Sequence, residues 1–577
     1  MSIVGTPRAA LHKRAGTRDH LDMSPPGASS AAHTVREVLR SRSIRRIVLA
    51  WTTGTAADWA LLVVLLIVAY DAGGALAAGI LGAVRVIPGI VAAPFATSLV
   101  ERYRGDRVLT TINLVRGAGA LATALVVATN LPVELTYVLA AVVAGSGSLV
   151  RPIQAALLPA FARTPGELVA ANVATSMGEG LGTFAGPLVA GLLVAATGSV
   201  AASLVVAAGF AAAAAAVTGI KFEHAADARG GVGADTIARV RLADAPRVLR
   251  RYPGAAVLLG DFIAQIFVRG LLITFIVVAS IELLDMGETG VGLLNAALGL
   301  GGFVGALGAL RLGGGRQLGT VCAIALACWG LPLVFIGAWP YAAVALVALF
   351  VTGVSNAVLD ISGFTLVQRG VSNEDRMLVF GVLEGLLGIG LLLGSLLAPA
   401  LIAVFGIQGS FVVAGAILPI LAALSWRSIR ATARRSALAE ANIALLRRNP
   451  LFAPLPLTAL DRLAEQLVPL SFDPGAVMMG KGEPGDHYLL IADGEVEVSD
   501  EGRILRTCGA GDGVGEIALL ERVPRTATVT ACSHVSAYAI DAASFLAAVA
   551  GPSAAAMAAA VVATRLEASE RLEQPVA

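Results

Sequence analysis

Twelve apolar stretches, each of about 20 residues or more, follow one another along the chain. A stretch of this length crosses the hydrocarbon core of a bilayer as a helix. The stretches lie at residues 47–70, 75–99, 108–129, 133–159, 168–196, 199–220, 254–280, 289–311, 317–337, 340–366, 377–401 and 404–425. Of the 577 residues, 56% are hydrophobic and only 14% are charged, whereas soluble domains have about 25% charged residues. The sequence therefore predicts a polytopic helical membrane protein and argues against a mainly soluble enzyme, a secreted disulfide scaffold or a DNA-binding protein.

The loops between these stretches differ in charge on the two sides of the membrane. One set is basic and includes seven Lys or Arg residues between Lys221 and Arg251, whereas the other set contains acidic residues and no Lys or Arg. Because basic loops remain in the cytosol, both termini are predicted to be cytosolic. Residues 1–45 lack a long apolar run, so we expect a disordered basic tail there and no signal peptide. The long loop at 221–253 separates two six-helix halves, 46–220 and 254–425.

The loop after the second stretch, TSLVERYRGDRVL at residues 97–109, has a recognisable pattern. It resembles the signature G-x-L-x-D-R-x-G-R-R of the major facilitator superfamily, with Thr97 in place of Gly and Glu101 in place of Asp. The resemblance implies a gating loop that contains Glu101, Arg102 and Arg107. The GPLVAG segment at residues 186–191 is similar to the G-P-x-x-x-G element of the family's exporters. The resemblance covers about residues 45–425.

Several ionisable residues lie inside the apolar stretches, where charge is costly and usually faces the interior of the bundle. They are Asp58, Arg85, Arg116, Arg151, Glu179, Asp261, Arg269, Asp360 and Glu384. We expect Asp58, Arg85, Glu179, Arg269 and Glu384 to lie deepest, and these are our candidates for proton coupling or for the substrate pathway. The alternative interpretation is that each belongs to a buried ion pair that only fixes the packing of the helices.

Glycine runs inside the stretches resemble nucleotide-binding loops only superficially. Gly178, Gly180 and Gly182 lie in an apolar span with no strand before them, so they predict close packing between helices. The sequence contains no zinc-ligand spacing, nucleophile elbow or Walker lysine, and we therefore expect no metal and no enzymatic activity.

The composition changes at residue 426. Residues 426–450 are basic and predict a connector helix that leaves the membrane, and residues 451–550 carry 14 acidic and six basic residues. In 451–550, two-residue periodicity with frequent Gly and Pro turns predicts a β-jelly-roll barrel with flanking helices. Residues 551–577 predict a C-terminal helix. The fold class is thus an all-α bundle of twelve transmembrane helices followed by a β-barrel domain.

The segment GEIALL at 515–520, followed by PRTATV at 524–529, carries the chemistry of the soluble domain. A glycine permits close backbone approach to an anion, and the helical turn after it presents free N–H groups. Arg525 can neutralise the anion with forked hydrogen bonds. Glu516 would repel a phosphate, so it requires a neutral donor such as a sugar hydroxyl. A phosphate joined to a ribose satisfies all of these groups.

This pattern resembles the phosphate-binding cassette of cyclic nucleotide-binding domains, as in catabolite activator protein and protein kinase A regulatory subunits. The resemblance implies that backbone N–H groups around Gly515, Ile517 and Ala518 hold the phosphate. It also implies that Glu516 binds the ribose 2′-hydroxyl, that Arg525 pairs with the phosphate and that Thr526 lies near the base. We expect cAMP as the ligand rather than cGMP.

Together these features predict a transporter, with proton-coupled efflux of a small amphiphilic solute regulated by cAMP. Only three of the 42 basic residues are Lys, and Ala and Gly abound, which suggests a bacterial plasma membrane protein. The expected partners are a small-molecule substrate, a cyclic nucleotide and the lipid bilayer, without nucleic acid. One alternative is a transport-inactive receptor that signals nucleotide level to a partner. In another, the C-terminal domain serves only to assemble protomers. We expect the chain to be a monomer or a homodimer.

Overall fold

The structure is a computed structural model that describes residues 42–92, 105–151, 153, 165–220, 247, 250–309, 317–371, 375–455 and 457–549. The predicted N-terminal tail, the gating-loop residues Glu101 and Arg102, most of the central linker and the C-terminal helix at 551–577 lie outside these residues. Arg107 lies inside them, exposed in the first turn of a helix.

The membrane part is helical throughout its described residues. Its helices are α1 (Arg42–Ala92), α2 (Gly105–Ala128), α3 (Glu134–Ser148), α4 (Pro165–Val217), α5 (Pro253–Val278), α6 (Gly287–Ala309), α7 (Leu318–Ala338), α8 (Ala342–Gly370) and α9 (Arg376–Arg448). A short π-helical turn, Ala279–Leu283, follows α5. All of these helices except α3 are long and apolar enough to cross a membrane, which makes eight among the described residues.

Three of the eight helices are hairpins, because glycines interrupt them with left-handed backbone. Gly74, Gly198 and Gly406 have φ angles of +61°, +81° and +67°. In α1, Asp58 and Arg85 approach to 3.9 Å, although an unbroken helix would separate them by about 40 Å. The breaks divide the eight apolar helices into eleven segments, and α3 lies within the fourth of the twelve predicted stretches. The described residues thus confirm the fold class predicted from the apolar stretches.

Small residues allow the helices of the bundle to approach closely. A Cβ atom at Gly186 of α4 would lie 2.3 Å from the carbonyl oxygen of Ala56 in α1. One at Gly178 would lie 2.2 Å from the Thr52 hydroxyl oxygen. These contacts confirm that the glycine run of the fifth span serves helix packing, as the absence of a preceding strand predicted.

The first half of the bundle, α1–α4, contacts the second half, α5–α9, along small-residue seams. Gly191 in α4 faces Gly292 in α6 so closely that a Cβ at either position would meet the other's backbone. At the end of the first span, the Tyr70 hydroxyl donates a hydrogen bond to Glu282 of the second half. Both contacts lie near the face that carries the acidic loops, since Gly292 is in the second turn of α6 and Gly191 is seven residues before the break at Gly198.

The last span continues into the soluble domain without interruption. After the break at Gly406, α9 remains helical up to Arg448, and Asn449 ends it. The Asn449 amide donates hydrogen bonds of 3.0 Å to the Tyr488 hydroxyl and to the Gly511 carbonyl. A continuous helix, with a buried asparagine at its end, thus joins the membrane part to the C-terminal domain.

The C-terminal domain is a sandwich of two antiparallel four-stranded sheets, in the orders β1-β8-β3-β6 and β2-β7-β4-β5. The strands are β1 (Val468–Phe472), β2 (Val477–Met479), β3 (His487–Asp493), β4 (Val496–Asp500), β5 (Arg503–Cys508), β6 (Gly513–Val514), β7 (Thr528–Ala531) and β8 (Val535–Asp541). Helices α10 (Leu457–Gln466), α11 (Glu516–Glu521) and α12 (Ala542–Val549) flank them. An aromatic cluster lies between the end of α9 and the sheets, in which the rings of Tyr488 and Phe545 stack and Phe452 meets both edge-to-face.

Candidate functional site

Arg525 is the buried centre of the site in the C-terminal domain. Its side chain is only 3% exposed. Nη1 donates to the Gly515 carbonyl at 3.1 Å, and Nη2 donates to the His487 carbonyl at 2.7 Å and lies 3.4 Å from Asp486 Oδ1. Two backbone carbonyls and one carboxylate therefore orient the guanidinium.

Two backbone hydrogen bonds tie the Arg525 loop to the turn before β3. The Arg525 N–H donates to the Glu483 carbonyl and the Gly482 N–H donates to the Arg525 carbonyl, both at 2.8 Å. Gly485 of the same turn packs against Ala518 so closely that a Cβ would lie 2.7 Å from it. This turn thus fixes the position of the arginine relative to α11.

Burial lowers the pKa of the Arg525 guanidinium, while Asp486, Glu483 and Glu516 oppose that effect. Burial by itself would raise the pKa of Asp486, but His487 and Arg525 hold it below its ordinary value. An arginine side chain keeps its proton in proteins, so this guanidinium is charged at neutral pH. The site therefore presents a fixed positive charge among carboxylates.

The predicted cassette residues lie together at the loop between β6 and α11. Gly515 is left-handed, with φ +98°, and begins α11. Glu516 is buried with 2% exposure and Ala518 with 4%, whereas Ile517 is half-buried. Thr526 is exposed beside the arginine. An anion bound near Arg525 would thus meet a glycine loop, one helical turn and a buried carboxylate.

The membrane candidates form a second group of charges, centred on Asp58. The Asp58 carboxylate lies 2.7 Å from Arg116 Nη2 and 3.9 Å from Arg85 Nη2. Arg116 also stacks over the ring of Phe210, with its Cζ atom 4.5 Å from the ring centre. Three spans of the first half therefore meet at one carboxylate with two arginines.

The remaining membrane candidates lie on both sides of the contact between the halves. Arg151 of the first half lies 3.8 Å from Glu179 and interacts electrostatically with Asp360 of the second half, as does Arg269. Glu384 is exposed and is not seen in an ion pair with the residues that the structure describes. The structure therefore gathers Asp58, Arg85 and Glu179 near one another but leaves Glu384 apart.

Comparison with known protein families covers both parts of the chain. Residues 48–374 and 319–464 match the Major Facilitator Superfamily. The chain belongs to this superfamily. Residues 469–551 match the cyclic nucleotide-binding domain. The chain is thus a multi-pass membrane protein of the transporter superfamily that carries a C-terminal cyclic nucleotide-binding domain.

Two curated relatives each match 88 residues of the chain. The cAMP-dependent protein kinase regulatory subunit of Yarrowia lipolytica is 38% identical over 88 residues, 15% of this chain and 24% of that protein. The acetyltransferase Pat of Mycolicibacterium smegmatis is 42% identical over 88 residues, 15% of this chain and 26% of that protein. The solved regulatory domain of Toxoplasma gondii PKA with cAMP is 27% identical, with a TM-score of 0.19, over 19% of this chain and 43% of that one. The chain spans about a quarter of the length of these two curated relatives.

The transporter domain also contains a polar network that charge alone did not reveal. Asn356 in α8 accepts hydrogen bonds of 3.0 Å from Gln265 Nε2 and Trp329 Nε1, and donates one of 2.9 Å to Asp360. The signal was present in the sequence, since Gln265 and Asn356 are amides inside apolar stretches. Neutral amides of this kind are not found when only the ionisable residues of the apolar stretches are considered.

Proposed function

We propose that this protein exports a small amphiphilic solute in exchange for protons and that cAMP, bound in its C-terminal domain, regulates the exchange. The observation that carries the regulatory part is the continuous helix between the two domains. Residues 407–448 run from the membrane into the nucleotide-binding domain, and Asn449 anchors the end of this helix. No bond of the solute is made or broken in this proposal, and the protein acts without nucleic acid.

The connector helix packs against the transporter at positions where its displacement would move neighbouring helices. Gly254, at the start of α5, faces Thr432 so closely that a Cβ would lie 2.4 Å from its hydroxyl oxygen. A Cβ at Gly319, at the start of α7, would likewise lie 2.6 Å from the Cβ of Ala433. Because these contacts leave no space, a tilt of the connector must move the ends of α5 and α7.

The cAMP assignment rests on the site and its relatives. Glu516, Arg525 and the glycine loop provide the groups that a cyclic phosphate and a ribose hydroxyl require. A related protein, 38% identical over 88 residues, is the regulatory subunit of a cAMP-dependent protein kinase. We place the protein in a bacterial plasma membrane with both termini in the cytosol, as the basic loops predict.

Proton coupling is assigned to the charge cluster around Asp58. A carboxylate that two arginines neutralise can exchange partners when the helices around it move, and protonation would release the arginines. The Asp58–Arg116 pair connects the first and third spans, and Arg85 brings in the second. A proton bound at Asp58 would therefore alter the packing of three spans at once.

The test uses proteoliposomes that contain a pH-sensitive dye and are exposed to the amphiphilic cation ethidium or the amphiphilic anion taurocholate. We expect one of these probes to drive proton flux and cAMP to change that flux by about fivefold. Arg525→Ala should abolish the response to cAMP while leaving the basal flux intact, and Asp58→Asn should abolish the flux itself.

Two results would contradict the proposal. An unchanged cAMP response in Arg525→Ala would exclude regulation through this site. If neither probe drives proton flux in protein that binds cAMP, the result would favour the alternative of a transport-inactive receptor. Arg522→Ala is a matched control, since Arg522 is an exposed arginine on the same loop.

A further inference from the structure

A row of arginines lies on the exposed side of the connector helix, just beyond the end of the last apolar stretch. Arg427, Arg430 and Arg434 are three and four residues apart, so they share one side of α9, and all three are exposed. We call these three residues the arginine face. Residues 426–439 contain four arginines and no acidic residue. This part of the helix therefore carries a positive charge that it does not compensate itself.

The opposite side of the same helical turns packs against the transporter. Ile429, Thr432 and Ala433 are buried. Gly319 of α7 lies so close to this side that a Cβ there would be 3.1 Å from the Ile429 carbonyl oxygen. This packing fixes the rotation of the helix about its axis, so the arginine face points away from the bundle.

The arginine face has no carboxylate partner among the residues that the structure describes. Arg427 and Arg434 make no ion pair or hydrogen bond with them, and Arg430 contacts only an aromatic ring. Its Cζ atom lies 5.3 Å from the centre of the Trp426 ring. Guanidinium groups present forked N–H donors that match the oxygens of a phosphate. Three of them on one exposed side thus favour a phosphate ligand.

The arginine face lies at the depth of the lipid headgroups. The last apolar stretch ends at Ser425, and α9 is helical from there to Arg448. At 1.5 Å per residue, Arg427, Arg430 and Arg434 lie about 3, 8 and 14 Å beyond Ser425 along the axis. The headgroup layer is about 5–8 Å thick on each side of the bilayer. The first two arginines therefore lie within this layer, and the third lies beyond it.

A strip of exposed apolar side chains leads along the helix to the arginine face. Leu424 and Ile420 lie one and two turns before Arg427 on the same side of α9, and they are 76% and 59% exposed. Such side chains within a membrane span face the acyl chains. The same side of one helix thus offers an apolar surface and then unpaired positive charge, in the order in which a phospholipid presents its acyl chains and its phosphate.

We propose that the arginine face binds the headgroup phosphate of an anionic phospholipid whose acyl chains lie along the last span. The charge selects an anionic lipid, because basic residues at a membrane surface are attracted to anionic headgroups. The apolar strip selects a lipid over a soluble phosphate. Because the opposite side of the helix packs against α5 and α7, a bound lipid holds the connector against the transporter.

The experiment titrates the full-length protein in detergent with phosphatidylglycerol or with phosphatidylcholine of the same acyl chains, and counts bound lipids by native mass spectrometry. Arg427→Gln with Arg430→Gln removes two charges of the arginine face, whereas Arg427→Lys with Arg430→Lys keeps them. Arg447→Gln with Arg448→Gln is the matched control, since these exposed arginines of the same helix lie about 33 Å or more beyond Ser425. The unfolding temperature of each variant verifies its fold.

We expect phosphatidylglycerol to bind about tenfold more tightly than phosphatidylcholine, and the glutamine pair at Arg427 and Arg430 to abolish this preference. The lysine pair should keep most of the binding, because an ammonium also binds phosphate. The control pair should change the binding less than about twofold, because it lies several Debye lengths from the headgroups. Glycerophosphoglycerol, the same headgroup without acyl chains, should not displace the lipid.

The inference is overturned if the two lipids bind equally, or if the two glutamine pairs weaken binding to the same extent. Loss of binding in the lysine pair would overturn it as well, because charge would then not be what binds the lipid. Displacement by glycerophosphoglycerol would indicate a site for soluble anions instead. Neither transport nor cAMP enters the measurement, so such a failure would leave the proposed function standing.

Discussion

The backbone around Arg525 prepares this side chain to meet an anion. The carbonyls of Gly515 and His487 accept hydrogen bonds from the guanidinium and hold its plane in one orientation. A charged donor that is already oriented loses little conformational freedom on binding, and this preorganisation increases affinity. The glycine at position 515 is part of the same arrangement, because the arginine approaches its backbone directly.

Gly515→Ala should weaken cAMP binding about tenfold or more, because the added Cβ would lie 2.5 Å from Arg525 Nη1 at a residue with φ +98°. Gly509→Ala is the matched control, since a Cβ at that position would meet nothing within 4 Å. Calorimetric titration of both variants checks the prediction. Gly515→Ala with the affinity of the unmodified protein would contradict the geometry described for this loop.

The sequence predicts the participants of the nucleotide site but not their contacts with one another. Glu516 and Arg525 are recognisable because a glycine loop, an acid and an arginine occur at fixed spacing. The carbonyls that hold Arg525 have no such signature, because every residue has one. In the membrane, Asp58 is predictable as a costly charge, whereas its pairing with Arg116 depends on how three spans pack.

The helices of the transporter depend on glycines in two different ways. At Gly74, Gly198 and Gly406, left-handed backbone reverses the chain and turns one long helix into two spans. At Gly186, by contrast, the backbone is helical and the missing side chain lets two spans touch. The apolar stretches predicted the number of spans, but neither role of the glycines follows from hydropathy, which reports only burial in lipid.

Gly186→Ala should destabilise the bundle, because its Cβ would lie 2.3 Å from the backbone oxygen of Ala56. Overpacking of this kind costs about 1–3 kcal/mol, so the temperature of unfolding of the detergent-purified protein should fall by several degrees. Gly308→Ala, where a Cβ would meet nothing within 4 Å, should leave that temperature unchanged. If both variants unfold at the temperature of the unmodified protein, the spans do not pack as described.

The connector helix allows a direct test of how the two domains communicate. Arg435→Pro places a proline in the interior of this helix at an exposed position, where it removes a backbone hydrogen bond and bends the helix. We expect cAMP affinity to stay within about twofold, because the nucleotide site is remote from residue 435, but the cAMP response of proton flux should disappear. Arg435→Ala should keep both. A full cAMP response in Arg435→Pro would show that the signal does not pass through the helix.

At the scale of the whole molecule, a continuous helix and side-chain contacts connect the two domains. Asn449 joins the connector to Tyr488 in the nucleotide domain, and Tyr70 joins the first half to Glu282 in the second. If cAMP biases the transporter between two states, the state of the transporter must in turn change the affinity for cAMP, because such coupling is reciprocal. This reciprocity distinguishes a regulated transporter from two domains that merely share a chain.

The most direct test holds the two halves together at the Tyr70–Glu282 contact and measures cAMP binding. Tyr70→Cys and Glu282→Cys are introduced after replacement of the four native cysteines, and a bismaleimide joins them. Titration of cAMP should give an affinity that differs about fivefold between the cross-linked and the open protein, with Arg525→Ala binding no cAMP in either form. Identical affinities in the two forms would contradict the claim that the nucleotide domain regulates the transporter.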